Sequence, residues 1–230
     1  IAKKLSLILT VGVSAESGYL VSKYATKASE FGAEQVMVAP PIMKKPNEKV
    51  LYRYYEEVNN AISKETKIVI QDLPEQSGVY MSPEFMVNLD KKLDKVNSIK
   101  LEDPPTPSKI TKIAKIKNQD LKIFGGLGGL FFLEELMRGA SGTMTGFAFT
   151  EILVEIYDLF SKNKIEEAKK IFYKWLPLIR YENTVGISLS IRKEILKQRK
   201  ITKFSYVRYP TPSMDNDDKN ELDLILQDYL

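Results

Sequence analysis

Between Leu5 and Thr145 the sequence alternates short apolar runs with longer amphipathic stretches, and after that the alternation stops. The runs at Leu5–Val11, Gln35–Ala39, Lys67–Gln71, Val96–Leu101, Leu121–Phe124 and Gly142–Thr145 read as strands. Most are rich in Val, Ile or Leu and closely followed by Gly, Pro or Asp. Helical patterns separate them. One covers Ala15 to Phe31, with Ser14 as the expected N-cap and Gly32 past its end. Another covers about Asn47 to Lys64. A third opens at Ser82-Pro83-Glu84, an N-cap followed by Pro at the first helical position, and a fourth opens the same way at Thr106-Pro107. A fifth follows Gly129 and stops at Gly139. Beyond residue 150 only helices are expected, at about Thr150–Lys162, Lys164–Glu182, Val185–Arg199 and Asp217–Asp228, with Pro177 kinking or splitting the second.

Strict β-α alternation implies an α/β fold with a parallel sheet and crossover helices. Polar residues at the ends of many consecutive runs favour a (β/α)8 TIM barrel over an open doubly wound sheet. Six βα units are present and a closed barrel needs eight. The six are therefore expected to be strands three to eight, with about two further units preceding Ile1 or supplied by another chain, and a gap between the first and last strands. A six-stranded open sheet is the structural alternative. Residues 1–150 are expected to form the barrel portion, and residues 151–230 the last barrel helix and a C-terminal helical extension.

The chain contains no histidine and no cysteine. The usual general base, the commonest metal ligand and the thiol nucleophile are thereby excluded. Chemistry must come from Lys, Asp, Glu, Ser, Thr, Tyr, Gln or the backbone. Lys100 ends an apolar run in Ser98-Ile99-Lys100-Leu101-Glu102. Alternation along a strand sends Ser98, Lys100 and Glu102 one way, into a barrel, and Ile99 and Leu101 the other way, onto helices. A desolvated lysine at a strand end is able to attack a ketone and form a Schiff base. The plainer reading is an ion pair with Glu102. The segment Phe124-Gly125-Gly126-Leu127-Gly128-Gly129 follows a strand and opens a helix, a placement that suits anion binding by backbone N–H groups, or else a tight turn that brings backbone near the pocket floor. It lacks the third glycine of a dinucleotide fingerprint, because Phe131 stands there. Gln71 and Gln76, around a strand end and its turn, are placed to hydrogen-bond a hydroxylated substrate. Tyr52, Tyr54 and Tyr55, at helical spacing, read as packing or subunit contacts.

The net charge of +4 comes from 34 basic and 30 acidic residues spread over the chain. The lysines cluster on helix faces, at Lys91-Lys92, Lys162 to Lys170 and Lys193 to Lys200, and read as solvated surface. A nucleic-acid surface shows a larger basic excess with interleaved aromatics, so no nucleic-acid partner is expected. No apolar run reaches the length of a membrane span, and zero cysteine suits a reducing, cytoplasmic setting.

Taken together, these segments resemble the dihydrodipicolinate synthase / N-acetylneuraminate lyase family. The family's sixth-strand pattern matches Ser98-Ile99-Lys100. Its third strand resembles Leu7 to Gly12, and its fourth-strand end resembles Val38-Ala39-Pro40-Pro41 with Pro46 after it. Its fifth-strand turn resembles Leu73-Pro74 with Ser77-Gly78 and then Ser82-Pro83-Glu84, and its eighth-strand start resembles Gly139-Ala140-Ser141-Gly142. The resemblance implies a class I aldolase or related lyase, with Lys100 as the imine-forming residue. Departures are visible. Gln71-Asp72-Leu73-Pro74 replaces the tyrosine-containing turn, so the usual proton shuttle is missing. Gln76 replaces the arginine that clamps a substrate carboxylate in the synthases, and Ile42 and Met43 stand near the tyrosine pair. The family's glycine-threonine-threonine-glycine-glutamate loop is not in these residues.

The implied protein acts on pyruvate or a 2-keto-3-deoxy acid through Lys100 and needs no cofactor. Gln71 and Gln76 would contact the distal part of the substrate. Backbone at Gly125, Gly126 and Met144 would meet the keto-acid end. Glu102, Asp72 or water would carry protons, because Gln cannot. The alternatives are a dehydratase that uses the same imine, or a paralogue that binds keto acids without turnover. A homo-oligomer, dimer or tetramer, is expected, with Ile171, Phe172, Trp175, Leu176 and Ile179 needing a partner surface.

Overall fold

The computed structural model describes residues 1–230, the side chain of Lys3 apart. It is an α/β fold with a six-stranded parallel half-barrel sheet and surrounding helices. The strands are β1 (Thr10–Gly12), β2 (Gln35–Val38), β3 (Lys67–Asp72), β4 (Val96–Leu101), β5 (Lys122–Gly125) and β6 (Gly142–Thr143), and they lie in the sheet in chain order. Between them run α1 (Gly18–Glu30), α2 (Glu48–Ala61), the single turn α3 (Pro74–Ser77), α4 (Pro83–Lys92), α5 (Thr106–Ile116) and α6 (Phe132–Met137). Four helices follow: α7 (Thr150–Ser161), α8 (Ile165–Glu182), α9 (Ser188–Gln198) and α10 (Asn216–Leu226). Strand β1 begins the order and β6 ends it, so the sheet is open.

The chain divides into two compact units, Ile1–Gly125 with Met137–Gly142, and Gly126–Leu136 with Thr143–Leu230. In the first, one face of the sheet supplies a core of Val36, Val38, Ile68, Ile70, Ile99, Leu101 and Ile123, packed with apolar residues of α1, α2, α4 and α5. Each of these strand residues is fully buried. A buried aliphatic side chain contributes about 1.5–3 kcal/mol, so this layer fixes the sheet's orientation against its helices. Tyr54 and Tyr55 pack edge to face at 5.8 Å inside this core, as packing residues.

Helix starts show where local chemistry won. Asn47 and Ser82 cap α2 and α4 through their side chains, and Pro83 occupies the first turn of α4. At α1 the cap is Ser17, not Ser14: the Ser17 hydroxyl accepts from Leu20 N–H, while Ser14 accepts from Ala39 N–H and ties down the end of β2. Helix α5 has Pro105 at its N-cap without a side-chain cap, and Thr106 is buried in its first turn. Strand β1 is shorter than the apolar run that suggested it. Its pairing starts at Thr10 opposite Gln35, where β2 itself begins, so Leu7 and Ile8 have no strand residue opposite them and stay exposed. Ala2–Leu5 form a 3-10 turn instead.

The second unit has its own core of Phe132, Phe147, Ile156, Phe172, Trp175, Leu178, Ile179 and Ile191 among others. Of the kink or split expected at Pro177, the split does not occur: α8 is a single helix through that residue. The expected need of Phe172, Trp175 and Ile179 for a partner surface is also corrected. Phe172 and Ile179 are fully buried by this unit, and Trp175 stacks against Phe149 at 4.7 Å and Tyr229 at 4.5 Å. Asp215 and Asp218 form a reciprocal capping box at the start of α10.

Candidate active site

One extra residue decides which side chains meet at the ends of β3 and β4. Ile68 is opposite Val96, but Val69 is opposite Ser98, so Asn97 is an additional residue on β4. An insertion in a period-two strand shifts the phase of every side chain after it. Below the bulge Ile70 faces Ile99, Gln71 faces Lys100 and Asp72 faces Leu101. Lys100 also lies opposite Phe124 of β5. Ile99 and Leu101 thus join the helix-facing core, and Gln71 and Lys100 share the other face.

On that face Lys100, Glu102 and Gln71 form one group. The Lys100 ammonium lies 3.0 Å from Glu102 Oε2, and Gln71 Nε2 donates to the same oxygen at 2.8 Å. The Lys100 and Glu102 side chains are 14% and 10% exposed, so the pair is mostly shielded yet reachable. Glu102 lies just past β4, where its N–H donates to Asp72 O at 2.9 Å and continues the ladder. The ion pair that was the plainer reading of Lys100 is therefore present. It is also what a reactive amine needs beside it: a carboxylate oxygen in contact with the nitrogen is placed to exchange a proton with it.

Asp72 belongs to a different group. Its side chain is fully buried and pairs with Lys109 of α5 at 2.6 Å, and Lys109 reaches Asp103 at 2.8 Å. Burial pushes the Asp72 carboxyl up to about 6, opposed by Lys109 and reinforced by Asp103. Asp72 follows Gln71 on the strand and points to the helix side, so it is removed as a proton carrier for Lys100. A hollow of about 400 Å³ borders this second group, lined by Tyr80, Ser82, Asp103, Pro105 and Lys109 among others.

The remaining predicted residues fall elsewhere. Gln76 is exposed on α3, one short turn after β3. Gly125 ends β5. Gly126 opens a 3-10 turn over Leu127–Gly129, in which Gly128 has φ +65 and Gly129 φ +84. The segment makes a tight turn. The helix expected to present an anion site after it, α6, has six residues and carries Glu134 and Glu135 in its first turn. Met144 follows β6 in the second unit. Sequence reasoning missed the bulge at Asn97 and the Asp72–Lys109–Asp103 group. The signal for the latter was available: Asp72 adjoins Gln71, so the two cannot share a face.

With this geometry in place, comparison with known proteins is informative. The family description "Dihydrodipicolinate synthetase family" fits residues 2–229. An L-2-keto-3-deoxyarabonate dehydratase of Azospirillum brasilense is 26% identical over 227 residues, covering 96% of this chain and 71% of that protein. A 4-hydroxy-tetrahydrodipicolinate synthase of Thermosipho melanesiensis is 27% identical, and the match covers 75% of this chain but 59% of the synthase, less than two-thirds of its length. Among solved structures, the dihydrodipicolinate synthase of Rhodopseudomonas palustris superposes with a TM-score of 0.89 at 32% identity, covering 97% of this chain and 75% of that one. Members of the family act as Schiff-base lyases and aldolases. On the match across nearly its whole length, this chain belongs to the dihydrodipicolinate synthetase family.

Proposed function

We propose that this protein is a lyase that forms a Schiff base between Lys100 and pyruvate or a 2-keto-3-deoxy acid. One observation carries the proposal: the Lys100 ammonium contacts the Glu102 carboxylate, on a sheet face shared with Gln71, at the carboxyl ends of parallel strands. That end of a parallel barrel is where substrates are bound. The six strands then correspond to strands three to eight of a (β/α)8 barrel. Glu102 takes a proton from the ammonium, and the free amine adds to C2 of the keto acid. Loss of water from the carbinolamine gives a protonated imine, which draws electrons from the neighbouring carbon. In the aldolase direction Glu102 or water takes the C4 hydroxyl proton, the C3–C4 bond breaks as C4 becomes a carbonyl, the bond's electrons form an enamine on Lys100, and the aldehyde departs. Protonation of the enamine and hydrolysis release pyruvate and the lysine. Gln71 and Gln76 contact the hydroxylated end of the substrate, while backbone at Gly125, Gly126 and Met144 meets the keto-acid end. The imine is itself the electron sink, so the cycle is complete without a cofactor. A cytoplasmic homo-oligomer, dimer or tetramer, goes with this reading, with a small-molecule substrate and no nucleic-acid or membrane partner.

A dehydratase is the second reading, favoured by the match of the keto-deoxyarabonate dehydratase to 96% of the chain. There the same imine loses a C3 proton, and the resulting enamine expels the C4 hydroxyl as water. Glu102 would carry that proton as well. Borohydride reduction in the presence of pyruvate tests both: a reduced pyruvyl adduct is expected on the Lys100 peptide. A label on another lysine, or none with any 2-keto acid, would overturn the reading. Products from a panel of 2-keto-3-deoxy acids then separate cleavage from dehydration. A barrel that binds keto acids without turnover would show the adduct and no product.

A further inference from the structure

Two neighbouring residues at the end of α8 grip both loops of the second unit that carry proposed substrate contacts. Glu182 is fully buried. One of its carboxylate oxygens accepts Ala148 N–H at 2.9 Å and the other accepts Arg192 Nε at 2.7 Å. The Arg192 guanidinium in turn lies on Gly146: a Cβ there would come within 2.5 Å of Nη1 and 2.8 Å of Cζ. Arg199, at the end of α9, donates to Ala148 O, pairs with Glu151 and stands 4.0 Å over the Phe149 ring. Ala148 is thus held through both its N–H and its carbonyl.

Asn183 does the equivalent at the other loop. Its amide lies against Gly128, where an added Cβ would be 1.9 Å from both the amide nitrogen and oxygen. Asn183 Nδ2 donates to Ile179 O at 2.8 Å, which anchors the amide in that place. The two loops also meet each other, because a Cβ on Gly129 would lie 3.8 Å from Thr145 Cγ2. The points so held are Gly128, two residues past Gly126, and Gly146 and Ala148, two and four residues past Met144. Burying a Glu–Arg pair contributes little to stability compared with an apolar replacement, so what it adds here is a fixed backbone geometry.

We propose that Glu182 and Asn183 are positioning residues, with Arg192 and Arg199 as their supports. They hold the backbone at Gly126 and Met144 in a preformed arrangement for the keto-acid end of the substrate. This inference rests on the Schiff-base reading above.

The test is a pyruvate titration of borohydride trapping on the full chain, read as the half-saturating concentration and the labelled fraction at saturation, beside a thermal melt. Glu182→Gln keeps the shape of the side chain and weakens the hold on Arg192. Asn183→Ala releases Gly128. Each should raise half-saturating pyruvate about tenfold, as expected for a binding backbone displaced by part of an ångström, while the labelled fraction at saturation stays within about twofold. Arg192→Lys, which retains the charge against Glu182, should return half-saturation to within about threefold of the parent. Should Glu182→Gln fail to fold, Asn183→Ala at the partly exposed helix end carries the test. Variants that melt lower yet trap pyruvate at the parent half-saturation would overturn the inference, since that is the signature of a merely structural role. A parent protein that traps no 2-keto acid on Lys100 would instead bring down the Schiff-base reading, and this inference with it.

Discussion

Two lysine–carboxylate groups lie at the same ends of β3 and β4, one on each face of the sheet. On one face Lys109 bridges Asp72 and Asp103 at 2.6 and 2.8 Å, with Asp72 fully buried. On the other, Lys100 meets Glu102 at 3.0 Å, and Gln71 shares the same carboxylate oxygen. Lys109 faces two formal negative charges and Lys100 faces one. The first arrangement commits the lysine: removing it would strand a buried carboxylate. The second leaves a lysine whose partner is partly engaged by a neutral amide, at the edge of solvent. Proximity of a lysine to a carboxylate therefore says little about role. The number of carboxylates, their burial and the face of the sheet say more.

Exchanging the two lysines in turn tests this contrast, and the largest effect is expected at Lys100. Lys100→Ala should abolish the trapped adduct and lower turnover on the order of 10³-fold or more, with the melting temperature little changed. Lys109→Met should do the reverse. It leaves Asp72 buried without its cation, which costs about 3–5 kcal/mol in a denaturant melt, while trapping on Lys100 persists in the folded fraction. If Lys109→Met blocked the adduct without destabilising the fold, the assignment of roles to the two faces would be wrong.

A smaller effect is expected at Gln76, exposed on α3 beyond the Lys100 face. A charge-assisted hydrogen bond to a substrate carboxylate contributes about 1.5–3 kcal/mol, or roughly ten- to a hundred-fold in binding. Condensation of pyruvate with aspartate semialdehyde should accordingly be poor in the parent and improve in Gln76→Arg. Efficient condensation by the parent would show that Gln76 does not limit the substrate.

Much of this architecture was legible from residue order. The period-two pattern of Ile99 and Leu101 against Ser98 and Lys100 sorted the faces of β4 correctly, because burial of Ile and Leu overrides other preferences. Strand ends were less legible. The run at Leu5–Leu9 is as apolar as any strand here, yet pairing needs a neighbour, and β2 offers none above Gln35. The bulge at Asn97 left no local mark, since it exists only in the pairing of two strands. The contacts of Trp175 were hidden for a related reason: its ring partners Phe149 and Tyr229 are distant in sequence. Within the site, Lys100 and Gln71 could be found as strand-end residues. The bonds of both to one Glu102 oxygen required the register.

The smallest expected effect on the chemistry goes with a pH dependence of stability confined to the Asp72 face. The Asp72 carboxyl is pushed up to about 6 by burial, above its ordinary value near 4 in an unfolded chain. Between those two values the folded protein binds more protons than the unfolded one, so stability falls as pH rises from about 4 to about 6 and then levels off. At roughly 1.4 kcal/mol for each pH unit, over a displacement of about two units, the fall is on the order of 3 kcal/mol. Asp72→Asn, nearly isosteric and without a titrating group, should flatten this part of the profile in urea melts at pH 4.5, 5.5 and 6.5. Because Asp72 points away from Lys100, the same substitution should leave the pH profile of pyruvate trapping where it was. A shift of the trapping profile in Asp72→Asn, with the stability profile unmoved, would mean that the two faces communicate and that Asp72 belongs with the chemistry after all.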